Sequence, residues 1–105
     1  MNRGDIWLVD LDPTVGSEIR KSRPCVVVSP PELNEALRTV IVAPMTTQSF
    51  EAPFRIPIVH AKKRGLILLD QMRTVDKSRL VKRMGTVSSK ALNAVLVTLQ
   101  EVFAP

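Results

Sequence analysis

Two short stretches bring together an arginine, a carboxylate and hydroxyls, the groups that handle a phosphodiester. Gly16-Ser17-Glu18 leads into Arg23-Pro24, and Thr46-Thr47-Gln48 closes the run Val40–Gln48. Each stretch borders an apolar run of strand character, Val26-Val27-Val28 after the first and Val40-Ile41-Val42 before the second. Strand ends and the loops beside them are where a rigid sheet presents reacting groups. One such phosphodiester, RNA, brings its own nucleophile, the 2′-hydroxyl beside the scissile phosphate. A protein acting on it must align that hydroxyl with the leaving 5′-oxygen, move two protons and stabilise a phosphorane-like transition state. Alignment and electrostatics supply most of this.

Each residue type has a part in that chemistry and a plainer counterpart. The Arg23 guanidinium matches phosphate oxygens bidentately. It stays protonated, so it stabilises charge or donates rather than serving as a base. As an arbitrary arginine it would be a solvated rim residue. Glu18 is the nearest carboxylate in sequence and could accept the 2′-hydroxyl proton, although a neighbouring cation weakens it as a base. Thr46 can donate to a phosphoryl oxygen or hold the 2′-oxygen in line; otherwise it is an ordinary β-branched strand residue. Thr47, next along a strand, should point to the opposite face. Phe50 is the aromatic placed to stack on a splayed base, or equally to anchor its own loop. His60, the only histidine, is expected to be a strand-end structural residue.

Four blocks follow one another along the chain: Pro13-Thr14-Val15-Gly16-Ser17-Glu18, Arg23-Pro24 with three valines, the Thr-Thr-Gln closure, and Leu69-Asp70-Gln71 running into Arg73-Thr74-Val75-Asp76-Lys77 and Arg79-Leu80. Together they resemble the MazF/PemK family, the toxin endoribonucleases of bacterial toxin–antitoxin pairs. The resemblance implies an SH3-like β-barrel with helical additions, active as a homodimer. It implies metal-independent, sequence-specific cleavage of single-stranded RNA, including mRNA, to 2′,3′-cyclic phosphate and 5′-hydroxyl ends. It also implies no cofactor and an acidic antitoxin protein as partner. Arg23 and Thr46 fall on the family's catalytic positions, with Glu18 as a further catalytic candidate. Ser17, Gln48, Asp70 and Gln71 fall on positions that contact RNA. Arg3, Arg20, Lys21, Thr47, Phe50 and Arg79 complete the expected RNA-binding set. One branch of the family carries an arginine two residues before the aspartate of the Asp-Gln pair; Leu68 stands there in this chain. The rival reading is a non-catalytic toxin of the same architecture acting on a protein target such as DNA gyrase. The gyrase-poison type lacks the Arg-Pro and Thr-Thr-Gln blocks.

Composition sets the frame. The 105 residues suit one domain, 1–105, with a modest core. Fifteen Lys+Arg against ten Asp+Glu give +5, which permits an anionic partner and equally a solubilising surface. One cysteine, Cys25, excludes an internal disulfide, and one Cys with one His cannot make a structural zinc site. No apolar run approaches the ~18 residues of a membrane span. Met1-Asn2-Arg3-Gly4-Asp5 lacks the layout of a signal peptide, so the cytoplasm is the expected compartment.

The elements that must position the chemistry follow from periodicity. Alternation predicts strands at Asp5–Leu11, Pro24–Val28, Thr39–Met45, Arg55–Val59, Gly65–Leu69 and Leu80–Met84. Pro31–Leu37 reads as a short helix after a proline-marked start. Ser88 or Ser89 caps a last helix with Leu92, Val95, Leu96, Leu99, Val102 and Phe103 on one face. The expected class is mainly β with α additions: a small barrel or bent antiparallel sheet, with the C-terminal amphipathic helix packed on it.

Overall fold

The computed structural model describes residues 1–105. Seven strands form the molecule's frame: β1 (Asp5–Asp10), β2 (Ser22–Val27), β3 (Thr39–Thr46), β4 (Arg55–His60), β5 (Lys63–Leu68), β6 (Arg73–Asp76) and β7 (Leu80–Thr86). Two helices complete it, α1 (Pro31–Ala36) and α2 (Ser89–Val102). The order across the sheet is β4-β5-β3-β2-β1-β7, every pairing antiparallel, with β6 also on β3. This is the expected bent sheet, a half-barrel with a C-terminal helix. Irregularities between Ile6 and Trp7 and between Leu8 and Val9 mark where β1 and β7 curve.

The valine runs are continuous because both faces of the central strands are covered. Val26 and Val28 join Ile6, Ala43, Met45, Ile67 and Val95 in one core cluster. Cys25 and Val27 join Val9, Leu11, Val40, Val42 and Val75 in the other. Adjacent residues thus alternate between two cores, as the pleat requires. Helix α2 closes the first cluster through Val95, with Ala91, Leu92 and Leu99 packed against it. The Ser88 hydroxyl caps this helix by accepting from the Ala91 amide at 3.1 Å. Phe103 departs from expectation. It lies just past Val102, where the helix ends, and is 68% exposed.

Several boundaries shift, each for a stated pairing. Pro24 is the third residue of β2 rather than its first. Only Cys25, Val26 and Val27 of β2 pair with β3, so the proline sits where that ladder has already ended. β4 and β5 run on to meet at His60 and Lys63, leaving a two-residue hairpin of Ala61 and Lys62. Both hairpin residues have positive φ, 51° and 64°, the signature of a type I′ turn. Strand β6 escaped the sequence reading. Of its four residues only Val75 is buried, so no alternation announces it; its place is fixed by pairing with Thr39–Val42.

Candidate active site

β3 changes neighbours along its length, and the opening this leaves carries the chemistry. Its Val42, Ala43 and Pro44 pair with β2, but Met45 and Thr46 pair with Ile67 and Leu66 of β5 instead. β2 meanwhile continues back through Pro24, Arg23 and Ser22 held only by β1. Between the parted strands lies a cavity of about 260 Å³. Arg23, Thr46, Thr47, His60 and Lys63 line it, with Pro24, Met45, Ile58 and Met84 as apolar wall. It contains two cations, two threonines and a histidine, and no carboxylate.

Within this cavity the key groups are lightly committed. The Arg23 Nε donates to the Arg20 carbonyl at 3.2 Å, and the side chain has no ion pair. Thr46 is only 8% exposed, and its hydroxyl oxygen accepts from the Gln48 amide at 3.1 Å. Its proton is left free to be donated elsewhere. Thr47 lines the same cavity, contrary to the expected opposite face. β3 ends at Thr46, so strand alternation no longer governs its neighbour. His60 also reaches this wall, which the sequence reading did not foresee, and its Nε2 is enclosed without a partner. Cys25 is not a reacting group: burial pushes its thiol up to about 12, which leaves no thiolate at neutral pH.

Gly65 sets the position of Thr46. A Cβ added there would meet the Thr46 carbonyl oxygen at 2.7 Å and its carbon at 3.3 Å, so one backbone would have to move. Gly65→Ala is therefore expected to destabilise the fold by about 1–3 kcal/mol and to displace Thr46, lowering activity as well. Urea unfolding and cleavage rates on the same preparation check both halves. Unchanged values in both would mean that the two strands separate freely.

Four other expected residues, Ser17, Glu18, Asp70 and Gln71, line a second cavity of about 530 Å³ together with Leu11, Ile19, Pro44, Met72 and Arg73. Glu18 is thus not beside Arg23. Its carboxylate accepts from the Val15 amide at 2.5 Å and closes a turn of its own loop. Gln71 accepts from the Ile19 amide at 2.8 Å, tying that loop to the Leu69–Gln71 turn. Asp70 is held by an arginine after all, from β4 rather than from position 68: Arg55 Nε and Nη2 reach its two oxygens at 3.1 and 3.0 Å.

Arg3, Arg20, Lys21, Gln48, Phe50 and Arg79 line neither cavity. Arg3 bonds the Val28 carbonyl at 3.0 Å, beyond the far end of β2 from Arg23. Five residues at ~3.3 Å each put ~16 Å of strand between the two ends, so Arg3 stands apart from the site. Arg79 bonds the carbonyls of Asp10 and Asp12, 3.2 and 2.5 Å away, and pins the start of the 11–21 loop. Arg20 is exposed, as is Lys21, which has a φ of 66° in the same loop. Gln48 is exposed, one residue beyond Thr47. Phe50 is 73% exposed, with the Arg55 guanidinium 4.6 Å from its ring centre.

Residues 2–103 match the family described as the PemK-like, MazF-like toxin of type II toxin–antitoxin systems, and the chain belongs to that family. Among curated relatives, endoribonuclease PemK of Escherichia coli is 37% identical over 97% of this chain and 81% of its own length. Endoribonuclease MazF of Staphylococcus saprophyticus is 39% identical over 90% of this chain and 84% of its own. Among solved structures, MazF of Deinococcus radiodurans superposes with a TM-score of 0.84, covering 97% of this chain and 94% of that one at 24% identity, a likeness of fold.

Proposed function

We propose that this toxin is a sequence-specific, metal-independent endoribonuclease that cuts single-stranded mRNA to 2′,3′-cyclic phosphate and 5′-hydroxyl ends. The observation that carries the reading is the cavity between β2 and β3, with its Arg23 and Lys63 cations, the Thr46 hydroxyl and no acidic lining. A phosphate entering there meets two positive charges without a competing anion. Arg23, tethered only through Nε, turns its remaining N–H groups to the phosphoryl oxygens and opposes the charge that grows on them. Thr46 donates to the same phosphoryl group while the Gln48 amide fixes its rotamer. The 2′-hydroxyl attacks phosphorus, the bond to the 5′-oxygen breaks, and the proton lost by the first oxygen is balanced by one gained at the second. The base role of Glu18 requires the 11–21 loop to bring its carboxylate across to this cavity.

The partners in this reading are an acidic antitoxin segment lying over the basic site and a second copy of the chain in the cytoplasm. A shallow barrel surface grips several nucleotides only when lengthened, and an isologous pair lengthens it. Exposed Val59 on β4 and Val81 on β7 offer apolar area for such pairing. The decisive experiment incubates the purified protein, in EDTA, with mixed-sequence RNA and maps the cut ends. Discrete cuts bearing 2′,3′-cyclic phosphates support the reading; intact RNA would point to a toxin that acts by binding. Sedimentation at micromolar concentration tests the dimer.

A further inference from the structure

Arg55 makes more directed contacts than any other side chain near the site, and no part of the cleavage step uses it. Its guanidinium grips Asp70 through two bonds of 3.1 and 3.0 Å. The Nη1 atom bonds the Ser49 hydroxyl at 2.6 Å and the Phe50 carbonyl at 3.3 Å. Its carbon lies 4.6 Å from the centre of the Phe50 ring. One planar group thus fixes the loop that follows Thr46, an aromatic ring on that loop, and the carboxylate of a separate turn. The Arg55 side chain is 12% exposed and Asp70 38%, so the pair is partly shielded and geometrically committed.

What this group holds still is suited to reading bases. With Arg55 against one face, the largely exposed Phe50 ring keeps its other face open for stacking. The Asp70 oxygens, each engaged once by Arg55, retain lone pairs that accept from an exocyclic amine. Adenine, guanine and cytosine carry such an amine and uracil does not. We infer that Arg55 is a positioning residue for sequence selection: it fixes Phe50 and Asp70 relative to each other so that they take neighbouring bases, one stacked and one read through its amine. The inference rests on the endoribonuclease reading.

The test compares wild type, Arg55→Ala, Arg55→Lys and Asp70→Asn on one RNA carrying the mapped wild-type site and on copies with single base changes around it. Lysine keeps the charge but cannot form the fork. Arg55→Ala and Arg55→Lys should both lower discrimination against a changed base by about tenfold, within the range of one bidentate contact. Their kcat at the preferred site should stay within about threefold of wild type, and the salt dependence of KM should be unchanged. Asp70→Asn should lose selectivity at one base only, and it carries the test should both Arg55 variants fail to fold. Unchanged discrimination in every folded variant would overturn the inference. So would rescue by lysine with a reduced salt slope in Arg55→Ala, which would make Arg55 a phosphate contact. Should wild type cut no RNA, the endoribonuclease reading fails first and takes the inference with it.

Discussion

Arg23→Ala is expected to abolish RNA cleavage and toxicity while leaving the fold in place. The guanidinium contributes one bond to a loop carbonyl and no ion pair, so truncation should cost about 1 kcal/mol or less of stability. What it removes is a cation facing the phosphate in a cavity without carboxylates. Donors aimed at charge that develops in a transition state are worth about 3 kcal/mol each, or 10²–10³ in rate. Arg23→Lys should recover part of this, since it restores charge without the fork. Single-turnover cleavage of an RNA with a mapped site, beside urea unfolding of each variant, makes the comparison. A folded Arg23→Ala protein that cuts at the wild-type rate would remove Arg23 from the mechanism.

The residues that could be read from sequence are those whose type and local context suffice. Strands announced by β-branched runs are present, because those runs are buried on both faces. The capped C-terminal helix is present because Ser88 and the Leu92–Leu99 spacing are local signals. Arg23-Pro24 and Thr46-Thr47 do converge on one cavity, while Gln48, the end of its block, does not line it. Features that depend on where strands part or meet were hidden. Thr47 shares the cavity with Thr46 because β3 stops between them, a boundary set by pairing with β5. Glu18 lies five residues from Arg23 in sequence yet lines a different cavity, since its loop folds back on Val15. His60 and Lys63 join the site only because a tight hairpin returns β4 into β5 beside Thr46. Arg55 had no signal at all: its partner Asp70 is fifteen residues away, on a turn reached through that hairpin.

Thr46→Val carries the second large effect and separates the hydroxyl from the shape that holds it. Valine keeps the β-branched outline at a position only 8% exposed, so the strand end should pack much as before. The Gln48 amide loses its 3.1 Å partner, which should cost about 1 kcal/mol and loosen the loop after β3. Cleavage should fall by about 10², because valine has no hydroxyl proton to donate to the phosphoryl group. Thr46→Ser retains donor and acceptor and should keep most of the activity despite its missing methyl. Combining Thr46→Val with Arg23→Ala adds a stronger test. The two side chains line one cavity, and if both act on a single phosphate their losses overlap. The double variant should therefore lose clearly less than the product of the two single losses. Full multiplicative loss would place the two residues on different groups of the RNA.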